Sequence, residues 1–253
     1  MIAMSPETDT PLPPMGFIAV ECHFTRPAGD AFNERTWPFP LIRERAPGSL
    51  VTDLVTREGY DAGFLDRFVQ TGQKLAEQGA VGIMTSCGFL AMAQPELAKR
   101  LPIPVATSAL LHIPSILAFL PADASIGVLT FDDTKLGPLH LSQLSIRDVD
   151  RVHIIGAPKG GSLQRLVCDD IEYSHEDIEK ELVEAALEIA QRHPETRAIL
   201  LECTQMAPFA VAIQQAVEWP VYDVYTMGCW FYSGLSRHRP QAWGPIGSDK
   251  TRG

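Results

Sequence analysis

The stretch Thr196-Arg-Ala-Ile-Leu-Leu-Glu-Cys203-Thr-Gln-Met is an apolar run that ends at a cysteine. A second run of this kind, Ala80-Val-Gly-Ile-Met-Thr-Ser-Cys87-Gly-Phe-Leu, lies earlier in the chain, and the two cysteines are separated by 116 positions. The pairs Pro104-Val105 and Pro220-Val221, which follow the two runs, keep the same separation. The sequence is therefore interpreted as a duplicated half in which an apolar strand, a cysteine, a helical stretch and a Pro-Val strand follow one another.

This repeat predicts the fold class. Continuously apolar strands that alternate with helical stretches are typical of parallel sheets covered on both faces. We expect an α/β protein with two pseudo-symmetric lobes, each a parallel sheet flanked by helices, and an active site between the lobes. The expected division is a loose N-terminal tail over 1–14, a first lobe over 15–107 plus 220–238, a second lobe over 108–219 and a C-terminal tail over 239–253.

Hydrophobic patterning supplies the expected elements. A buried strand is predicted at 15–22, a loop without regular structure at 26–40 and a further strand at 50–55. The other predicted strands are 80–87, 103–106, 124–130, 151–156, 196–203 and 220–223. Helices are predicted at 63–78, 95–100, 108–120, 208–217 and 225–236, and one that begins at a capping signal near Ser174 and ends at His193.

Composition and charge limit the possible functions. The chain has 253 residues, 45% of them hydrophobic, with a net charge of −10 and no long basic run, so nucleic acid is not an expected partner. No apolar run approaches the roughly 18 residues of a membrane helix, and the proline-rich N-terminus lacks the apolar segment of a signal peptide. Five widely spaced cysteines without a CxxC motif favour reduced thiols in a cytoplasmic protein and no metal site.

The two repeated cysteines are the candidate catalytic residues. Ligands of open parallel sheets bind beyond the carboxyl ends of the strands, where Cys87 and Cys203 are expected. A cysteine in a buried strand is most often a small hydrophobic side chain, and Cys22, Cys168 and Cys229 are interpreted in that way. Two thiols that face each other across a cleft suit acid–base chemistry at one carbon, in which one thiolate removes a proton and the other thiol returns one. This chemistry needs no cofactor.

The chain resembles the aspartate/glutamate racemase superfamily, which also contains hydantoin racemases, maleate isomerases and arylmalonate decarboxylases. The resemblance covers about residues 15–236 and is strongest at Leu201-Glu-Cys203-Thr204-Gln-Met. Ile126-Gly-Val-Leu-Thr130 and Gly82-Ile-Met-Thr-Ser-Cys87 also match. It implies two α/β lobes, an active site between them and cofactor-free chemistry on a small carboxylate or carbonyl compound. Because both cysteines match, it favours a racemase, epimerase or isomerase over a decarboxylase, which keeps only the second cysteine.

The sequence departs from the family pattern at its substrate contacts. Gly88-Phe89 stands where amino-acid racemases have Asn-Thr, so aspartate or glutamate is not the expected substrate. Gln205 replaces the histidine or glutamate that often follows the second Cys-Thr, and Glu21 is the nearest match to the acidic residue expected after the first strand. The predicted substrate-binding residues are Ser86, Gly88, Phe89, Thr130, Thr204, Gln205 and Glu21.

Several weaker candidates remain. Arg26 and Arg35 could hold a carboxylate, and His23 could lie near the cleft, although each is more often a solvated side chain. Asp223 is interpreted as a helix cap. A Gly88→Val variant is expected to lose activity and keep most of its thermal stability. The alternatives left open are a decarboxylase or cis–trans isomerase of the same superfamily, a small-molecule-binding protein without turnover, and a possible homo-oligomer.

Overall fold

The computed structural model of the chain describes residues 11–237. The expected tail over 239–253 lies outside the described residues, as do residues 1–10 of the N-terminal tail, and residues 11–14 are irregular. Eight strands form two four-stranded parallel sheets. The first sheet contains β1 (Met15–Ala19), β2 (Leu41–Arg45), β3 (Ile83–Thr85) and β4 (Val105–Ala106), and the second contains β5 (Ser125–Thr130), β6 (Val152–Gly156), β7 (Thr196–Leu201) and β8 (Val221–Tyr222).

The two sheets have the same strand order. The first is β2-β1-β3-β4 and the second is β6-β5-β7-β8, so β3 and β7 occupy equivalent positions. The central strands β1, β3 and β5 are buried along their whole length and β7 at every residue except Arg197, which explains why they read as apolar runs. The predicted α/β class with two lobes and parallel sheets is confirmed.

Nine α-helices cover the sheets in the described part of the chain. They are α1 (Val51–Leu54), α2 (Ala62–Glu77), α3 (Gln94–Arg100), α4 (Ile113–Phe119), α5 (Pro138–Gln143), α6 (Ser162–Asp169), α7 (His175–Arg192), α8 (Ala210–Val217) and α9 (Val224–Leu235). None of the helices within residues 11–237 is long and apolar enough to cross a membrane.

The last helix of each half packs on the other lobe. Ile113 and Ile116 of α4, which follows the first sheet, lie in the core around β5, whereas Met227 of α9 packs with Met15 and Met84 of the first sheet. The lobe boundary expected at residue 220 needs a correction at this point. Strand β8 pairs with β7 of the second sheet because it is the counterpart of β4, and only the helix that follows it packs on the first lobe.

Two expected elements differ from the structure. The segment 50–55, predicted as a strand, contains the short helix α1, which turns Leu54 into the core and leaves its polar residues toward solvent. The loop over 26–40 is irregular except for a single 3₁₀ turn at Glu34–Thr36, and it leads directly into the strand β2, which the sequence did not indicate.

Candidate active site

The repeat places both cysteines at one cleft. Cys87 lies two residues beyond β3 and Cys203 two residues beyond β7, which are equivalent strands of the two sheets. Both cysteines line a cleft with about 400 Å³ of atom-free space, part of it open to solvent. Side chains from both lobes form its walls, among them Arg26, Leu54, Phe131, Val167 and Glu202.

The local backbone around Cys87 favours a negative sulfur. Cys87 is the N-cap of a 3₁₀ helix over Gly88–Ala93, which continues into α3. The backbone N–H groups of Phe89 and Leu90 stabilise the thiolate, as does the charge of Arg26. Burial and the nearby Glu202 outweigh these effects and raise the pKa of the Cys87 thiol to about 12.

Cys203 is held as a thiol by its neighbours. Its sulfur donates a hydrogen bond to Oε1 of Gln205 at 3.1 Å. Burial, followed by the charge of Glu202, raises the pKa of Cys203 well above its ordinary value, against the opposing backbone N–H of Gln205. Both cysteines are therefore protonated at neutral pH.

A hydrogen-bond network joins the two lobes beneath the cysteines. Thr204 Oγ1 donates to the carbonyl oxygen of Ser86 at 2.8 Å, across the two strand ends. Gln205 Nε2 donates to Thr204 Oγ1 at 3.1 Å and to Oδ2 of Asp30 at 3.3 Å. Gln205 thus connects the Cys203 sulfur to a buried aspartate of the first lobe.

Arg26 is a buried cation of the cleft. Its side chain is 8% exposed and forms an ion pair with Asp30 at 3.1 Å, while a second guanidinium nitrogen donates to Cys22 Sγ at 2.8 Å. Burial by itself would lower the pKa of Arg26, but Asp30 and Cys22 raise it above its ordinary value, so the group stays charged. Its Nε has no hydrogen-bond partner among residues 11–237. Arg35 and His23, the other weak candidates, are exposed.

Glu202 is the acidic residue that sequence reasoning missed. It is the residue between β7 and Cys203 and is 1% exposed. Its Oε2 accepts a hydrogen bond from Thr130 Oγ1 at 2.7 Å and from the backbone N–H of Phe131 at 3.4 Å. Burial is the largest influence and raises the pKa of Glu202 to about 7, despite these two hydrogen bonds. A glutamate that follows an apolar strand is usually solvated, and only the register of β5 against β7 brings Thr130 to it.

The structure brings most of the predicted substrate-binding residues to the cleft. Cys87, Cys203 and five of those residues line it: Ser86, Gly88, Phe89, Thr204 and Gln205. Thr130 is fully buried and reaches the cleft through its bond to Glu202. Glu21 is placed elsewhere: it lines an adjoining depression with Cys168, and its backbone N–H is bound by Ser49. Glu21 is therefore not part of the cysteine cleft.

Gly88 is required by close approach of the two strand ends. A Cβ at this position would overlap Oε1 and the backbone carbonyl oxygen of Glu202. The glycine therefore lets the Cys87 turn lie directly against the residue before Cys203. This contact brings the two cysteine segments together.

One group with metal-binding spacing lies far from the cleft, near the start of β6. The ligand atoms of His153, His193 and Glu195 are within 4.8 Å of one another. His153 Nε2 is 2.7 Å from Glu195 Oε1, and the two imidazole rings stack at 3.7 Å. The close His153–Glu195 contact and the ring stacking account for this arrangement, which lies outside the cysteine cleft.

Comparison with known proteins relates the fold to enzymes of one superfamily. A variant of arylmalonate decarboxylase in its sulfate-bound form matches 90% of this chain and 97% of its own length, with a TM-score of 0.58 and 19% identity. Allantoin racemase from Pseudomonas fluorescens matches 94% and 100%, with a TM-score of 0.55 and 19% identity. An aspartate racemase homologue from Pyrococcus horikoshii matches 88% and 99%, with a TM-score of 0.56 and 12% identity.

The chain has the fold of the aspartate/glutamate racemase superfamily. No family model matches the sequence. Among curated proteins, a dimethylsulfoniopropionate lyase from Durusdinium sp. clade D is 27% identical over 237 residues, which are 87% of this chain and 74% of the relative. Dimethylsulfoniopropionate lyase 5 of Emiliania huxleyi is 27% identical over 234 residues, and the match covers 85% of this chain and 44% of that longer protein.

Proposed function

We propose that this chain is a cofactor-independent enzyme that removes a proton from the carbon next to a carboxylate, with Cys87 and Cys203 as its acid–base groups. The observation that carries the proposal is the equivalent position of the two cysteines, each two residues beyond β3 or β7 and both in one cleft. Proton removal beside a carboxylate creates an enediolate. The buried, charged Arg26, which also pairs with Asp30, supplies fixed positive charge in the cleft for it.

The curated relatives favour elimination as the outcome. In dimethylsulfoniopropionate the carbon next to the proton-losing one carries a sulfonium, which is a good leaving group. One cysteine first loses its own proton to solvent. The resulting thiolate then takes the proton from carbon as the carbon–hydrogen bond breaks, and the released electron pair forms the carbon–carbon double bond as the carbon–sulfur bond breaks. The products are dimethyl sulfide and acrylate, and the proton passes from the cysteine to solvent. We therefore propose a lyase on a β-substituted carboxylate of this kind.

Racemisation is the second candidate, and the pseudo-symmetry of the two thiols favours it. With a substrate that lacks a leaving group, the carbanion accepts a proton from the thiol on its other face, which inverts the carbon. Elimination needs one base, whereas racemisation in both directions needs both cysteines. A decarboxylase, a cis–trans isomerase and a binding protein without turnover remain alternatives on the same fold, and no contact in the cleft favours them.

The test compares wild type with Cys87→Ser, Cys203→Ser and the control Cys168→Ser, whose side chain is exposed and outside the cleft. Each is incubated with dimethylsulfoniopropionate, and dimethyl sulfide is measured by headspace gas chromatography. Serine is nearly isosteric but a far weaker acid, so at least one cleft variant should lose activity by about 10³-fold or more, while the control keeps it. Full activity in both cleft variants, or no dimethyl sulfide with wild type, would contradict the lyase.

The same proteins test the second candidate. Chiral 2-substituted acids and hydantoins are incubated with each, and circular dichroism follows the loss of optical activity. A racemase should act on one of these compounds only while both cysteines are present. Racemisation by either single variant at the wild-type rate excludes the two-cysteine mechanism.

A further inference from the structure

Glu202 has one free carboxylate oxygen in the wall of the cleft. Oε2 is fixed by Thr130 and Phe131, whereas Oε1 has no hydrogen-bond partner among residues 11–237 and is buried. A buried acceptor without a partner is unfavourable, and a buried charge even more so, unless a ligand or a proton completes it. The fixed half of the carboxyl group holds the free half in place.

The free oxygen lies between the two cysteine segments. It is next to Gly88, where a Cβ would overlap it, and Glu202 influences the pKa of both thiols. The same cleft has an apolar wall formed by Val51, Leu54 and Val55, and the aromatic rings of Phe89 and Phe131 also line it. Such a lining disfavours a strongly hydrated ion and suits a cation whose charge is covered by methyl groups.

The same cleft also contains a buried cation, Arg26. Arg26 lines the same cleft and carries an unpartnered Nε, so it can donate to a carboxylate that enters there. The cleft thus offers one fixed positive group and one fixed carboxyl oxygen, which is negative when Glu202 is ionised, with an apolar surface beside them.

We propose that Glu202 is a specificity-determining residue whose Oε1 binds the alkylated cation, a sulfonium or a quaternary ammonium, of a small onium carboxylate that Arg26 holds by its carboxylate. The inference rests on the proposed function only in using the same cleft. It goes beyond that function by assigning recognition of the onium group to one residue, Glu202. A cation at Oε1 also offsets the negative charge that raises the pKa of the two thiols, so the same contact favours the thiolate.

The test uses two non-reacting ligands of the same shape. Both carry a carboxylate: 3-trimethylammoniopropionate has a quaternary ammonium at its other end, and 4,4-dimethylpentanoate has an uncharged tert-butyl group in the same place. They are called the cationic and the neutral ligand after that group. Isothermal titration calorimetry measures both dissociation constants with wild type, with Glu202→Gln and with the control Glu188→Gln, whose carboxylate is exposed and pairs with Arg192. Glu202→Met provides a second uncharged variant if the amide impairs folding.

We expect wild type and the control to prefer the cationic ligand by about tenfold or more, since a charge pair is strong in a buried site. The uncharged variants should lose this preference, to within about threefold, while the affinity for the neutral ligand stays within about threefold of wild type. Three results overturn the proposal: the variants keep the wild-type preference, they lose affinity for both ligands equally, or wild type shows no preference for the cationic ligand. Because binding alone is measured, an enzyme that fails to release dimethyl sulfide can still show the preference, which separates this proposal from the lyase.

Discussion

Glu202 links the chemistry of the site to the stability of the protein. Its charge acts on the thiols of Cys87 and Cys203, which line the cleft with it and Arg26, and on the Tyr60 hydroxyl behind the cleft wall. In the folded protein the pKa of Glu202 is about 7, whereas in the unfolded chain it is 4.5. Between these values the folded state binds more protons, so the free energy of unfolding falls as pH rises.

Glu202→Gln should remove this part of the pH dependence. A pKa difference of this size corresponds to a loss on the order of 3 kcal/mol for wild type between about pH 4.5 and 7. Urea unfolding at several pH values from 5 to 8 measures it, and the difference between the two proteins cancels the contributions of all other groups. If the free energy of unfolding falls equally with pH in wild type and variant, the pKa of Glu202 is not raised in the folded protein.

Gly88→Ala tests the close approach of the two cysteine segments. The added Cβ would overlap the backbone carbonyl oxygen of Glu202, which cannot move without the end of β7, so overpacking should cost about 1–3 kcal/mol of unfolding free energy together with activity. The expectation that a valine at this position would spare thermal stability is therefore withdrawn. Gly59→Ala is the control, because nothing lies within 4 Å of a Cβ there. A wild-type melting temperature for Gly88→Ala contradicts the packing described.

At the scale of secondary structure, long apolar and amphipathic segments could be predicted and short polar ones could not. The helix expected at 63–78 is α2, and the capping signal at Ser174 begins α7, where Ser174 Oγ accepts from the Asp177 N–H. Strand β2 was missed because Leu41–Arg45 is an edge strand with two arginines and a glutamate. Its strand conformation depends on pairing with β1, which local sequence does not show.

Only the part of the site that depends on local sequence could be predicted. The strand ends that carry Cys87 and Cys203 follow from the repeat, which is visible in the sequence. The roles of Asp30 and Glu202 depend on contacts over long separations, Asp30 with Gln205 and Glu202 with Thr130, and no sequence pattern predicts them.

Asp223 should determine the start of α9, the helix that returns to the first lobe. Its Oδ1 accepts from the Thr226 N–H at 2.8 Å, and Thr226 Oγ1 accepts from the Asp223 N–H at 2.9 Å, as expected of a cap. Asp223→Ala should lower the free energy of unfolding by about 1–2 kcal/mol in urea denaturation, and Asp223→Asn, which can still cap, should lose less. Equal losses in the two variants would show that the cap does not stabilise α9.

At the scale of the molecule, duplication explains why the site lies where it does. Two copies of one half place two equivalent strand ends against each other, and each half packs its last helix on the other lobe. The Thr204–Ser86 hydrogen bond and the Gly88–Glu202 contact hold these ends together. The arrangement places two thiols in one cleft, where the proposed proton transfer would use them.

The central claim is that the cysteines remove a proton from the carbon next to a carboxylate. Proton NMR in D2O tests it most directly, with dimethylsulfoniopropionate and a panel of 2-substituted carboxylates as substrates. With wild type, the signal of that carbon's proton should disappear, by exchange for deuterium or by conversion to an alkene, for at least one compound. The protein with both Cys87→Ser and Cys203→Ser should leave it unchanged. Undiminished loss with the double variant, or no loss with wild type for any compound, would contradict the mechanism.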